Sequence, residues 1–185
     1  LDKGEKLWQK YAAWYAAIPY TYSGVTHNLQ SMPPQFEELA RKIEKELGLE
    51  EGYFNSALAN VFPKGQSLSE HADDEEIFVR DNGTIGKVAT ISLGGSTDIT
   101  IRNIETNETK VIRVENGDLY VMPGGKFQFE NKHSVGKTTG ERVSITFRHI
   151  PKNKLPKVEV ESEGMVAYGH KVTLPDGKEI TLNDQ

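Results

Sequence analysis

Between residues 54 and 147 the chain is a series of short stretches rich in β-branched and aromatic residues, each cut off by glycine or a polar turn cluster. That texture restricts it to an antiparallel β architecture. The expected strands are Phe54 to Phe62, Ile85 to Leu93, Thr97 to Ile101, Lys110 to Val114, Leu119 to Met122, Phe127 to Asn131 and Arg142 to Phe147. What precedes them reads as helical. Leu7, Tyr11, Trp14, Tyr15 and Ile18 fall at helical spacing and predict a helix from Glu5 to Ala17. Pro33-Pro34 opens a second helix with an apolar stripe of Phe36, Leu39, Ala40, Ile43 and Leu47, and Gly48 is placed to end it. Helices followed by many short strands predict an α+β, mainly β fold, a jelly-roll core with N-terminal helices packed on one sheet.

A chain of 185 residues suffices for one domain with a proper core. The core domain is expected over residues 1–150. A C-terminal extension over 151–185 follows a lysine- and proline-bearing link, Pro151 to Pro156, and reads as a hairpin around Pro175-Asp176-Gly177-Lys178. Without cysteine there is no disulfide framework, thiolate nucleophile or zinc-thiolate site. No apolar run approaches membrane-spanning length. The net charge of −5 argues against a long duplex footprint. A short single-stranded contact needs only a local basic rim, for which Arg102, Arg113, Lys126, Lys132 and Lys137 are candidates beside their reading as ordinary solvated surface.

The chemistry concentrates in His71, Asp73 and His133, followed by the strand Arg142-Val143-Ser144-Ile145-Thr146-Phe147-Arg148. An H-x-D pair, whose two side chains are expected on one strand face, with a distant histidine is a ligand set that leaves half of an iron's coordination sphere open. On the strand, Arg142, Ser144, Thr146 and Arg148 share one face and Val143, Ile145 and Phe147 the other. Two arginines on the inner wall of a small barrel are costly to desolvate unless an anion meets them, and their planar fork suits a carboxylate. A dicarboxylic acid is the expected guest. The competing structural reading pairs Asp73 with Arg148 and holds no metal. His27, His149 and His170 are read as structural or surface residues.

These segments, with Asn60-Val61-Phe62-Pro63-Lys64-Gly65, Ile91-Ser92-Leu93-Gly94 and Gly117-Asp118-Leu119 in the same order, resemble the AlkB family of iron(II)/2-oxoglutarate dioxygenases. The style is that of AlkB-like domains in replicase polyproteins of plant-infecting RNA viruses, which share the Tyr20-Thr21-Tyr22-Ser23-Gly24 and Met122…Phe127-Gln128 elements. The likeness covers roughly residues 18 to 150. It implies a double-stranded β-helix core, with Fe(II) on His71, Asp73 and His133, and 2-oxoglutarate and O2 in the open positions. Arg142 would pair with the distal carboxylate of 2-oxoglutarate, Arg148 would lie by the end at the metal, and Asn60 would hydrogen-bond the co-substrate. Phe62 stands where the bacterial prototype has a tyrosine, and Ser144 where it has an asparagine. Each departure loses a hydrogen bond worth about 1 kcal/mol.

The activity implied is oxidative demethylation of N-methylated bases of the 1-methyladenine and 3-methylcytosine type in single-stranded nucleic acid, RNA by the viral likeness. It would be coupled to decarboxylation of 2-oxoglutarate to succinate, with release of formaldehyde. Glu75 matches an acidic residue contacting the cationic target base. Tyr20 and Tyr22 are lid candidates that cover or stack on an extruded base, and Met122 falls near a stacking position. Two alternatives stay open: a 2-oxoglutarate-dependent hydroxylase of a protein or small molecule, and a non-catalytic binding module on the same barrel. A monomeric segment of a larger polyprotein acting in the host cytoplasm is expected.

Overall fold

The computed structural model describes residues 12–22, 25–159, 166–173 and 179–183. The start of the first expected helix, Ser23-Gly24 and the tip of the C-terminal hairpin lie outside these residues. Elements run β1 (Ala12–Tyr15), β2 (Tyr20–Tyr22), β3 (Val25–His27), α1 (Pro34–Leu47), β4 (Ser56–Phe62), β5 (Leu68–His71), β6 (Val88–Gly94) and β7 (Thr97–Asn103). They continue β8 (Thr109–Val114), β9 (Leu119–Met122), α2 (Phe127–Glu130), β10 (Asn131–Val135), β11 (Arg142–Arg148), β12 (Lys157–Glu159), β13 (Val166–Thr173) and β14 (Glu179–Asn183). Among the described residues no helix is long and apolar enough to cross a membrane.

Two antiparallel sheets form the core, one ordered β1-β4-β11-β6-β9 and the other β5-β10-β7-β8. Strands far apart in sequence are neighbours in both, as a double-stranded β-helix requires. β11 sits at the centre of the first sheet, and its residues Arg142 to Phe147 are fixed in register on both sides, Ser144 opposite Asn60 and Ser92, and Thr146 opposite Leu58 and Thr90. Because residues in register share a face, its alternation sorts the whole sheet. Ala57, Ala89, Ile145 and Phe147 turn outward and cluster with Ala40 and Ile43 of α1, with Phe36 and Leu39 packed against them. α1 thus covers the outer face, as its stripe predicts. It starts at Pro34 and ends on Gly48 in the left-handed conformation, whose N–H reaches back to the last turn. On the inner side Phe62 clusters with Ile99, Val114 and Val135 of the second sheet.

Three sequence expectations change. Residues 12–15 are a strand and not the end of a helix, paired along β4 from Ala12 opposite Asn60 to Tyr15 opposite Ala57. The consecutive aromatics explain this: Trp14 is buried with Leu58 and Phe78, while Tyr15 packs edge-on to Phe36 on the other side of the sheet. Only a strand sends neighbours to opposite faces, and the pairing covers an edge that β4 would otherwise expose. Residues 127–130 form a helical turn and the strand begins only at Asn131. His71 closes β5, so Asp73 lies in the loop beyond it and not on the same strand face. The C-terminal residues form a further sheet, β12-β13-β14, whose β13 and β14 make the expected hairpin from Gly169 opposite Asn183 to Thr173 opposite Glu179.

The turn after β6 depends on Gly94. Its φ is +82°, and a Cβ there would lie 2.4 Å from the Glu141 carbonyl oxygen, a backbone atom with no freedom to retreat. Gly117 has a similar φ of +89° with nothing within 4 Å. Gly94→Ala is therefore expected to lower the unfolding free energy by about 3 kcal/mol, and Gly117→Ala by only about 1 kcal/mol, measured as urea midpoints. Equal losses would mean that the close approach to Glu141 relaxes without cost.

Candidate active site

The pocket lies between the sheets. From β4 it is lined by Leu58, Asn60 and Phe62, and from β11 by Arg142, Ser144, Thr146 and Arg148. Thr90, Tyr120 and Met122 follow from the next two strands, and His71, Asp73 and His133 from the opposite wall. The register of the first sheet accounts for this set, since every β4 and β11 member lies two residues from the next.

His71 and His133 face each other directly across β5 and β10, and their ring centroids are 4.2 Å apart. Asp73 follows on the loop, and one ligand atom from each of the three lies within 4.8 Å of the others. His71 Nδ1 donates to the Ser69 carbonyl oxygen at 2.8 Å, which leaves Nε2 free to bind. Asp73 is buried. Its Oδ1 accepts from Arg148 Nη2 at 2.7 Å, while Oδ2 has no hydrogen-bond partner. Burial pushes the carboxyl up, but Arg148 and then the two histidines outweigh it and hold it at about 2. Burial pulls His133 down to about 4, against the opposing pull of Asp73. A neutral imidazole and an ionised carboxylate with a spare buried oxygen are what a divalent cation requires, so the residues fit an iron. The Asp73–Arg148 ion pair of the competing reading also forms, through the other carboxylate oxygen, and it leaves Oδ2 available to a cation.

The far end gathers buried cationic groups. Arg142 is 0% exposed; Nε donates to Ser92 Oγ at 2.8 Å, and both terminal nitrogens find no well-formed hydrogen-bond partner. Its guanidinium lies over the Phe62 ring, 5.1 Å from the centroid. Burial lowers its pKa. Arg148, 4% exposed, leaves Nε and Nη1 unpartnered, and Asn60 Oδ1 is likewise orphaned. Buried guanidinium donors in this number are seldom left unsatisfied in native proteins, and a dianion spanning the pocket would answer them, whereas Asn60 Oδ1 is an acceptor and calls for a donor.

Gln128 gave no signal of its own in the sequence. It is buried on α2, where its Oε1 accepts from the Asp73 N–H at 3.1 Å and its Nε2 reaches Met122 Sδ at 3.5 Å. This bond ties the loop that carries Asp73 to the helical turn at 127–130. Tyr120 was also missed. Its hydroxyl faces Arg142 and Thr90 inside the pocket, where burial raises its pKa.

The expected substrate residues divide. Glu75 is partly buried, with one oxygen accepting from the Tyr20 hydroxyl at 2.6 Å and Oε2 unpartnered. Burial is the main reason its carboxyl is raised. Tyr20 is 2% exposed, its ring tilted against Trp14 at 4.4 Å and near Phe78 at 5.7 Å. It is therefore a buried support for Glu75 and not an open lid. Tyr22 is on the same strand, opposite Val25, and its side chain lies outside the described residues. Met122 is buried in the pocket wall and not at its mouth. Two members of the expected basic rim are already paired, Arg102 with Glu70 at 2.6 Å and Arg113 with Asp98 at 3.1 Å. Lys126, Lys132 and Lys137 are exposed. His149 stacks on Tyr53 at 4.7 Å and bonds its carbonyl, a structural role as expected.

Known proteins agree with this geometry. The model of the 2OG-Fe(II) oxygenase superfamily matches residues 5–148. Relatives include the RNA replication protein of Papaya mosaic potexvirus, 34% identical over 140 residues, and replicase protein 1a of Grapevine leafroll-associated virus 3, 31% identical over 129 residues. These alignments cover 74% and 70% of this chain but only 8% and 5% of the viral proteins. An uncharacterized protein, R406, of Acanthamoeba polyphaga mimivirus is 30% identical over 82% of this chain and 75% of its own length. The solved structure of OsALKBH1 shares the fold, with a TM-score of 0.53 and 18% identity over 66% of this chain and 68% of that one. The family implies Fe(II), 2-oxoglutarate and O2 as the reagents. By family model and relatives together, with an AlkB-like form of the barrel, this chain belongs to the 2OG-Fe(II) oxygenase superfamily.

Proposed function

We propose that the chain removes N-methyl groups from bases such as 1-methyladenine and 3-methylcytosine in single-stranded RNA. The observation that carries the oxygenase part is the pairing of an orphaned buried Asp73 oxygen, beside two histidines, with the unpartnered fork of Arg142 at the opposite end of one pocket. Kinship to segments of viral RNA replication proteins supports the polymer, and with it a place within a longer protein in the host cytoplasm.

In this reading His71, Asp73 and His133 hold Fe(II). Arg142 holds the distal carboxylate of 2-oxoglutarate, Ser144 and Phe62 shape its channel, and Asn60 and Arg148 orient the end nearest the metal. With O2, the bound iron and 2-oxoglutarate supply the oxidising equivalent that inserts one oxygen into a C–H bond, the co-substrate leaving as succinate and carbon dioxide. On an N-methyl group this yields a hemiaminal, which collapses to formaldehyde and the unmethylated base without a protein base. The chain positions the methyl group and excludes water. Glu75, held by Tyr20, offers its second oxygen to a cationic base, and Met122 packs in the pocket wall, while the Tyr22 side chain, the other expected lid residue, lies outside the described residues. Lys126, Lys132 and Lys137 are left to meet phosphates.

The test is anaerobic loading with Fe(II), then exposure of matched RNA and DNA oligomers carrying 1-methyladenine or 3-methylcytosine to air, with and without 2-oxoglutarate. Mass spectrometry should show loss of one methyl group from the RNA only with co-substrate. If succinate forms while both polymers keep their methyl groups, the nucleic-acid reading fails and a hydroxylase of a protein or small molecule takes its place.

A further inference from the structure

The loop from Asp73 to Ile85 carries Glu75, and different parts of the chain fasten its start, its end and its middle. At the start Gln128 accepts the Asp73 N–H. At the end Ile85 exchanges backbone hydrogen bonds with Gly125. The middle is a single 3-10 turn, Glu76–Phe78, which begins directly after Glu75 and is met by residues from beyond β11. Ile150 and Leu155, 0% and 7% exposed, share one buried cluster with Phe78, Ile85, Trp14 and Tyr20. On the surface Asn153 Nδ2 donates to Asp81 Oδ1 at 2.6 Å, and Lys154 Nζ pairs with Glu76 Oε1 at 2.5 Å. The root of this segment is fixed as well. The Asn55 side chain donates to the Ile150 carbonyl oxygen and accepts the Ile150 N–H, both at 2.8 Å.

Glu75 is held by two groups, the Tyr20 hydroxyl on its carboxylate at 2.6 Å and the Phe78 N–H on its carbonyl oxygen at 2.9 Å. Tyr20 and Phe78 both belong to the cluster that Ile150 and Leu155 complete. A loop with exposed acidic residues and few apolar anchors opens locally at little cost unless something packs against it. Here the packing comes from residues 150–155, just past the stretch that the superfamily model matches, which ends at residue 148. The metal ligands are fastened elsewhere, His71 and His133 by strand pairing and Asp73 by Gln128.

We infer that residues 150–155 are a positioning strap that holds Glu75 in place through Phe78 and Tyr20, and so set the preference for a cationic base without contributing to metal or co-substrate binding. The inference rests on the reading of Glu75 as the group that meets such a base. None of the strap residues is catalytic; they act through the loop.

The experiment uses the whole chain loaded anaerobically with Mn(II) and 2-oxoglutarate, and fluorescence anisotropy of matched RNA oligomers carrying 1-methyladenine, a cation, or 1-methylguanine, which is neutral. The readout is the ratio of the two affinities, in which general changes in phosphate binding cancel. Glu75→Gln is the reference and should lower the ratio about 10-fold, the scale of a hydrogen bond to a charged group. Leu155→Ala should lower it about 3- to 10-fold, because a displaced contact group loses its effect steeply, and Leu155→Met, of similar volume, should keep it. Lys154→Glu sets like charges against each other on the surface and leaves the buried cluster whole. It should lower the ratio about 2-fold, and Lys154→Glu/Glu76→Lys should restore it. Mn(II) and 2-oxoglutarate affinities should be unchanged in the Leu155 and Lys154 variants. If Glu75→Gln lowers the ratio while Leu155→Ala and Lys154→Glu keep it, only the strap inference fails. Equal weakening of both oligomers by Leu155→Ala, with loss of Mn(II) binding, would likewise reduce the segment to a support of the fold. If Glu75→Gln keeps the ratio, or the parent does not distinguish the oligomers, the Glu75 reading fails and the inference with it.

Discussion

Asp73→Ala is expected to abolish metal binding at micromolar metal and to remove about 3–5 kcal/mol of folding stability from the metal-free protein, two losses with separable causes. The first follows from ligand count. Asp73 supplies the sole anionic donor among the three, and losing it should cost more than the ~10- to 100-fold that removal of an outer-shell partner costs. The second follows from Arg148. Its guanidinium is buried, bonded to Asp73 Oδ1 and close to the Phe78 ring, at 5.5 Å. With Asp73 gone, a buried charge keeps only the more distant help of Glu75, and breaking one side of such a pair is far more harmful than never having made it. The double variant Asp73→Ala/Arg148→Met should therefore regain most of the stability while remaining unable to bind metal. Urea unfolding of the metal-free proteins and Mn(II) titrations separate the effects. Stability of Asp73→Ala within about 1 kcal/mol of the parent would show that the ion pair does not set the energetics of this wall.

The parts of this fold that could be read in the sequence are those in which local pattern and tertiary environment agree. β11 alternates between a polar inner face and an apolar outer face, and both neighbours in the sheet hold it in that register, so its arginines turn inward as expected. α1 carries its proline start, its stripe and its glycine stop in consecutive residues. The segment Ala12–Tyr15 was misread because helical spacing there coincides with a strand whose reason for existing is the open edge of β4, more than forty residues downstream. Tyr120 gave no signal, and Gln128, though part of the Met122…Phe127-Gln128 element, gave no sign of its role, for a related reason. A glutamine after Phe127 and a tyrosine between Leu119 and Val121 are ordinary surface and strand residues until the Asp73 loop and the Thr90 register bring partners to them. Long-range ion pairs are equally illegible: Arg102 reads as a free phosphate contact until Glu70 folds against it. Of the pocket, the cluster of His71, Asp73 and His133 and the two arginines were accessible from spacing and resemblance. Apart from the Asp73–Arg148 pair, what hydrogen-bonds to them was not.

Arg142→Met should behave in the opposite way to Asp73→Ala. The metal-free, ligand-free variant is expected to be as stable as the parent or about 1–2 kcal/mol more stable, because a buried guanidinium with two unsatisfied nitrogens and an aromatic face beneath it is replaced by an apolar chain of similar length. Its binding of 2-oxoglutarate should fall by about 100-fold or more, the loss of two charge-assisted hydrogen bonds from a dry site. Mn(II) affinity should not change, since Arg142 stands at the end of the pocket away from the ligands. The two effects predict a crossing. Without co-substrate the variant melts at or above the parent, and with 2-oxoglutarate at about 100 times the parent's Kd the parent gains about 2.7 kcal/mol while the variant gains under 1 kcal/mol. Thermal unfolding with and without 2-oxoglutarate, in the presence of Mn(II), reads this directly. A variant that loses stability in the absence of ligand, yet is stabilised by 2-oxoglutarate as much as the parent, would mean that Arg142 supports the barrel and that the dianion binds elsewhere. A crossing would mean that the chain gives up stability here to keep a cationic site ready for an anion.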